Sequence, residues 1–149
     1  MDLRSLYEEL ILDHNRNPRN YPKKQDDANH SAHGFNPLCG DEFFVHLTID
    51  DGVITDVGFE GAGCAISTAS ASLMTEALIG RSVASAEALF GQVHDLLTSD
   101  ARGEPEDALG KLQVLKGVKD FPMRVKCATL AWHTMNAALH ENNDMVTTE

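Results

Sequence analysis

Between Phe43 and Phe59 the chain alternates in character on both sides of Asp51-Gly52, and no other feature restricts its fold more. Phe43, Val45, Leu47 and Ile49 alternate with Phe44, His46 and Thr48; Val53, Thr55, Val57 and Phe59 alternate with Ile54, Asp56 and Gly58. A period of two marks a strand with one buried face. Asp-Gly is a strong two-residue hairpin turn, because glycine accepts positive φ freely. Two antiparallel strands therefore present one face that other elements must cover.

The covering elements read as helices. Residues 3–14 carry Leu3, Leu6, Tyr7, Leu10 and Ile11 at helical spacing. Residues 65–79 carry Ile66, Ala69, Leu73 and Ala77 on one stripe, with Gly80 placed to end the helix at C′. Residues 85–97 show Ala88, Leu89, Val93 and Leu96, and 107–117 a short helix around Leu109, Leu112 and Leu115. The last helix, 123–140, puts Cys127, Leu130, Ala131, Thr134 and Ala138 on one side. Residues 15–22 are breakers, 23–35 an aperiodic polar loop, 98–106 a surface loop with Gly103 and Pro105, and 141–149 a fraying tail. The expectation is a single α+β domain over 1–149, a small antiparallel β-sheet with helices packed on one face.

A net charge of −11 and a pI near 4.9 exclude the basic footprint that nucleic acid needs, and disfavour an anionic membrane surface. They suit a protein partner with a basic patch. No apolar run is long enough to span a bilayer, and the opening residues lack a secretion signal. The expected compartment is the cytoplasm, where the three cysteines form no disulfide framework. They are then buried core residues, metal ligands or reactive nucleophiles.

Their surroundings favour chemistry. Cys39 and Asp41 are two apart, so in an extended segment a thiolate and a carboxylate reach one ion. Cys64 follows Gly61-Ala62-Gly63 and opens a helix, where unpaired N–H groups and the macrodipole favour thiolate. Cys127 follows Arg124 and Lys126, whose charges push the same way. Three sulfurs and one oxygen fill a tetrahedral shell suited to Zn²⁺, and thiolates equally suit an iron–sulfur cluster. Arg124 is either a partner of Asp41 or of a cysteine sulfur, compensating the site's negative charge, or a solvated residue near a helix start. Spacing alone leaves the metal open, because no C-x-x-C pair is present and the donors lie on three segments.

The seven histidines do not strengthen that set. His30 and His33 read as solvated loop residues, His46 as exposed or partly covered, His94 and His133 as packed or solvated, and His14 as favoured by a helix C-terminus. Trp132 and the methionines read as core or partner-surface residues.

Three segments carry a resemblance. Asn36-Pro37-Leu38-Cys39-Gly40-Asp41, Gly61-Ala62-Gly63-Cys64-Ala65-Ile66-Ser67 and Arg124-Val125-Lys126-Cys127-Ala128-Thr129-Leu130-Ala131-Trp132 look like the three cysteine motifs of the IscU/NifU-N-terminal family of iron–sulfur cluster assembly proteins. The chain is closest to its SufU branch, and the likeness spans 6–139. IscU-type scaffolds carry a histidine immediately before the third cysteine, where this chain has Lys126; residues 99–118 resemble a SufU-type insertion. The resemblance implies a SufE/NifU-like fold and a zinc-bound sulfur acceptor working with a SufS-type cysteine desulfurase and downstream Fe–S assembly proteins. Such a chain is a sulfurtransferase-type carrier rather than a stand-alone enzyme. Its zinc ligands would be Cys39, Asp41, Cys64 and Cys127, with Cys39 taking the sulfur once a histidine of the desulfurase displaces it from zinc. The other reading is a scaffold holding a transient [2Fe–2S] cluster on Cys39, Cys64 and Cys127. A zinc site that only stabilises the fold and a cysteine hydrolase fit less well: closed structural sites favour Cys and His, and no His/Asn arrangement accompanies a nucleophile.

Overall fold

Asp51 and Gly52 take φ of 52° and 76° and join β2 (Asp41–Asp50) to β3 (Val53–Ala62) as a two-residue hairpin. The computed structural model describes residues 3–98, 107–118, 121–141 and 145–147. Phe43, Val45 and Leu47 of β2 are fully buried, as their alternation predicts. β3 departs from its expected pattern. The register shifts between Thr48 and Ile49, so that Ile49 pairs with Ile54 and Thr48 with Asp56. The bulge leaves Thr55 over, Ile54 takes the core position, and Val53 is 37% exposed. Val57 and Phe59 then rejoin the buried face.

The segment read as a loop over 23–35 contains β1 (His30–Asn36), antiparallel to β2. Its inward residues are Ala32, Gly34 and Asn36, which supply no apolar stripe for a periodicity argument to find. Gly34 is required there. A Cβ at this position would lie 2.0 Å from the Thr134 hydroxyl oxygen and 3.1 Å from a Leu130 methyl, so α4 (Pro122–Leu139) sits directly on the strand. The tail expected to fray adds β4 (Val146–Thr147), parallel to β1 at Gly34 and Phe35. It pairs an edge that β1 would otherwise leave open. The sheet order is β3-β2-β1-β4, antiparallel except for that last pair.

The helices cover one face, and the α+β class holds. α4 crosses β1 and β2; α2 (Ala65–Leu78) packs on α4 and touches β3; α1 (Leu3–Arg16) packs on α2. α3 (Val83–Thr98) lies against α4 and a 3-10 helix, Asp107–Val118. That 3-10 helix buries Leu112, Leu115 and Val118; residues 99–106 of the expected insertion lie outside the described residues. Gly80 ends α2 with φ of 93°. No helix among the described residues is long and apolar enough to cross a membrane.

α2 is buried nearly all round, and its hydroxyls tie the layers together. Ser70 donates to the Ala128 carbonyl (2.6 Å) and accepts from the Trp132 indole (3.1 Å). Ser72 accepts from the Arg19 backbone N–H (2.9 Å) and lies 2.7 Å from His14 Nδ1. The outer sheet face is covered in part. Residues 20–23 bond to β3 through Asn20 O and Lys23 N, and His46, 5% exposed, lies between Ser31 and Glu60.

His14 stands in the last turn of α1, as the sequence suggests, and is fully buried there. Burial chiefly, then Arg19, holds its pKa below the ordinary histidine value, and Glu76 at 3.4 Å opposes this. His133 is lowered by burial and by His94. A lowered folded-state pKa means that the unfolded chain binds more protons. The stability these histidines confer is complete above about pH 6.5 and is lost as pH falls toward their folded-state values. The urea midpoint is therefore expected to fall between pH 7.5 and 5.5. A His14→Asn variant, which keeps a polar atom near Ser72 but cannot titrate, is expected to fall less. Equal falls in both proteins would contradict the assignment to His14.

Candidate metal and sulfur site

Asp41 opens β2 and pairs across the ladder with Asn36, the last residue of β1; both side chains are buried. The four residues between them form the turn that carries Cys39. Asn36 organises this turn from both sides: its carbonyl accepts from Gly40 N (2.8 Å) and its side-chain oxygen from Leu38 N (3.1 Å). Gly40 takes φ of 75°, which closes the turn at low cost. Cys39 is consequently exposed on a turn, whereas an extended segment was expected to align it with Asp41.

Cys64 comes from the other side of the sheet end. Gly61 takes φ of 116°, and a Cβ there would lie 2.1 Å from the Glu42 carbonyl oxygen. A Cβ at Gly63 would lie 2.8 Å from the Phe43 ring and 3.2 Å from Asp41 Oδ1. This close approach lets the Cys64 N–H donate to Asp41 Oδ1 at 2.9 Å. Cys64 is also the N-cap of α2, its sulfur accepting from Ser67 N at 3.4 Å. Ser67 is fully buried; its hydroxyl donates to Asp41 Oδ2 and lies 3.3 Å from Cys64 Sγ.

Cys127 enters from α4, whose N-cap is Phe121 and whose first residue is Pro122. Its sulfur lies 3.2 Å from Cys39 Sγ and 3.9 Å from the Asn36 amide nitrogen. It is 3% exposed, and burial pushes its thiol well up, followed by the hydrogen bond to Cys39 and the charge of Cys64. That reverses the sequence expectation for Cys127. Arg124 points into solvent, its guanidinium 4.7 Å from the centroid of the Phe121 ring, so desolvation outweighs the cations. Arg124 lines the same cavity as the cysteines but shows no ion pair with Asp41.

One ligand atom each from Cys39, Asp41 and Cys127 lies within 4.8 Å of the others. Donors around tetrahedral zinc, with bonds near 2.3 Å, stand about 3.8 Å apart. The donor set fits a divalent cation on a second ground. Asp41 is 1% exposed, and no Lys, Arg or His among the described residues pairs with it. A buried carboxylate lacking a cation is costly, and a metal would supply one. Cys64, the fourth ligand that the resemblance implies, lies outside that group of three; its sulfur is held at the N-terminus of α2 and lines the same cavity as Cys39 and Cys127.

Beside these donors lies an open cavity of about 640 Å³, lined by Ile11 and Leu12 of α1, Ile66 of α2 and Met123 of α4. Of these, Leu12 and Met123 are each roughly half exposed. The histidines stay elsewhere: His33 pairs with Glu42 at 2.7 Å and His46 with Glu60 at 2.8 Å. Asn36 and Ser67 were not singled out by the sequence reading. An Asn before Pro-Leu-Cys is a turn signal, and a Ser three residues after a helix-opening Cys fits a cap, but neither pattern reveals a shared partner.

The family profile described as the NifU-like N terminal domain matches residues 6–143. The chain is 41% identical over 141 residues to the iron-sulfur cluster assembly scaffold protein IscU of Thermotoga maritima, covering 93% of this chain and 96% of that one. It is 37% identical over 134 residues to the zinc-dependent sulfurtransferase SufU of Bacillus subtilis, covering 90% and 89%. Among solved structures, the putative iron-sulfur cluster assembly scaffold protein for the SUF system of Fervidobacterium islandicum superposes with a TM-score of 0.82 at 34% identity, covering 91% of this chain and 98% of that chain.

The geometry ranks the thiols by access. Cys39 and Cys64 are exposed and Cys127 is buried. In metal-free protein, iodoacetamide is expected to alkylate Cys39 and Cys64 at least about tenfold faster than Cys127, as read by peptide mass spectrometry. Equal labelling of Cys127 would contradict its burial.

Proposed function

The chain belongs to the NifU-like N-terminal domain family, and from that membership we propose that it is a zinc-bound sulfur acceptor for iron–sulfur cluster assembly. The zinc ligands are Cys39, Asp41, Cys64 and Cys127. The sulfur donor is a SufS-type cysteine desulfurase, and downstream Fe–S assembly proteins receive the sulfur in the cytoplasm. The observation that carries this reading is the contrast among the donors. Asp41 and Cys64 are hydrogen-bonded to one another's segment and Cys127 is buried, whereas Cys39 rides an exposed turn.

When bound, zinc holds the cysteines as thiolates and lowers their reactivity until one is released. The turn of Asn36 and Gly40 presents Cys39 at the mouth of the cavity, where a persulfide on a partner protein can approach. The Cys39 thiolate attacks the outer sulfur of that persulfide. A sulfur–sulfur bond forms on Cys39, the donor's own sulfur–sulfur bond breaks, and the donor cysteine leaves as thiolate. No external oxidant or reductant is needed. Arg124, which lines the same cavity, would compensate negative charge as the two thiolates meet.

A scaffold holding a transient [2Fe–2S] cluster is the second reading, favoured by the 41% identity to a chain named as an IscU scaffold. Lys126 before Cys127, in place of the histidine of IscU-type chains, favours sulfur transfer.

Purified protein is expected to carry about one zinc, to be colourless, and to gain a persulfide on Cys39 when incubated with desulfurase and cysteine. A Cys39→Ser variant is expected to lose at least about a hundredfold in acceptance, because the nucleophile is gone. Normal acceptance by that variant would overturn the assignment. Competent assembly of a coloured iron-bearing form would favour the scaffold instead.

A further inference from the structure

We infer that Ser67 is the positioning residue that decides which ligand of the site leaves the metal; this rests on the zinc-bound sulfur-acceptor reading above. Ser67 is fully buried in the first turn of α2 and meets two donors of the set at once. Its hydroxyl proton goes to Asp41 Oδ2, while its backbone N–H goes to Cys64 Sγ at 3.4 Å. The Cys64 N–H holds the other carboxylate oxygen at 2.9 Å. Asp41, Cys64 and the N-terminus of α2 are thereby one hydrogen-bonded unit.

The remaining sulfurs are held differently. Cys127 is confined by burial, with the Asn36 amide nearby at 3.9 Å. Among the described residues, the one hydrogen-bond partner of Cys39 Sγ is Cys127 Sγ. Releasing Asp41 or Cys64 disrupts contacts that Ser67 makes. Releasing Cys39 disrupts none of them, and its turn already projects into solvent. Selective exchange at Cys39 is thus built by anchoring its competitors. Without the Ser67 hydroxyl, Asp41 Oδ2 loses its donor in a buried site, the carboxylate is free to swing, and the anchored unit loosens.

The test compares wild type, Ser67→Ala and Ser67→Thr. Circular dichroism of the metal-free proteins serves as the folding control. Ser67→Ala is expected to lose zinc to a chelator with an affinity about 10- to 100-fold weaker than wild type. Its Co²⁺-loaded form is expected to show shifted d–d bands. Desulfurase-derived persulfide is expected on Cys64 as well as Cys39. Ser67→Thr keeps the hydroxyl and is expected to confine persulfide to Cys39; loss of that confinement in folded Ser67→Thr would overturn the role of the hydroxyl. Ser67→Ala matching wild type in zinc retention, cobalt spectrum and persulfide position would overturn the role of Ser67 alone. Wild type that binds no zinc, or takes no sulfur on Cys39, would overturn the underlying reading.

Discussion

The carboxylate of Asp41 is the group on which the architecture of the site turns. It is buried at the end of the inner sheet face, where an unsolvated charge is expensive. Part of that cost is offset by the Cys64 N–H and the Ser67 hydroxyl, both supplied by the start of α2, and the counter-charge is left for a bound cation to supply. That requirement explains the glycines before Cys64. Only backbone without a Cβ at Gly63 lets the helix start come close enough to donate. It also explains why β1 ends on Asn36, which faces Asp41 across the ladder and shapes the turn bearing Cys39. The β1–β2 turn and the start of α2, distant in sequence, thus meet around one buried acid, while Cys127 joins them from α4 through Cys39 and Asn36.

Much of this was legible in the sequence. The Asp51-Gly52 hairpin and the run of helices after it were readable from periodicity and turn chemistry, and of the four residues singled out by type the structure brings Cys39, Asp41 and Cys127 within 4.8 Å of one another. β1 was not, because its inward positions, Ala32, Gly34 and Asn36, are chosen for close approach to α4 and for polar contacts. The β3 pattern misled, since a bulge at Thr55 changes which residues face inward. Val146 and Thr147 carry no signal strong enough to announce a strand; the open edge of β1 recruits them. The ionisation argument for Cys127 took the sign of nearby Arg124 and Lys126, but depth of burial decides, and depth is a tertiary property. The link from Ser67 to Asp41 spans 26 residues, so no local pattern contains it.

The site divides labour between rigidity and access. Asp41, Cys64 and Cys127 stand on regular elements or at their ends, while Cys39 stands on a turn. The cavity beside them opens between α1, α2 and α4, and its lining includes Leu12 and Met123, both about half exposed. On the sulfur-acceptor reading proposed above, release of the Cys39 thiolate is confined to the time when a partner covers this opening, and the sulfur is then shielded from solvent oxidants.

The central claim is that Asp41 and the three cysteines share one zinc ion. X-ray absorption at the zinc edge of the purified protein tests it most directly. The account predicts three sulfur neighbours near 2.3 Å and one oxygen near 2.0 Å, with one sulfur lost in Cys39→Ser and the oxygen shell altered in Asp41→Ala. A shell of only nitrogen and oxygen, or one unchanged by both substitutions, would contradict it.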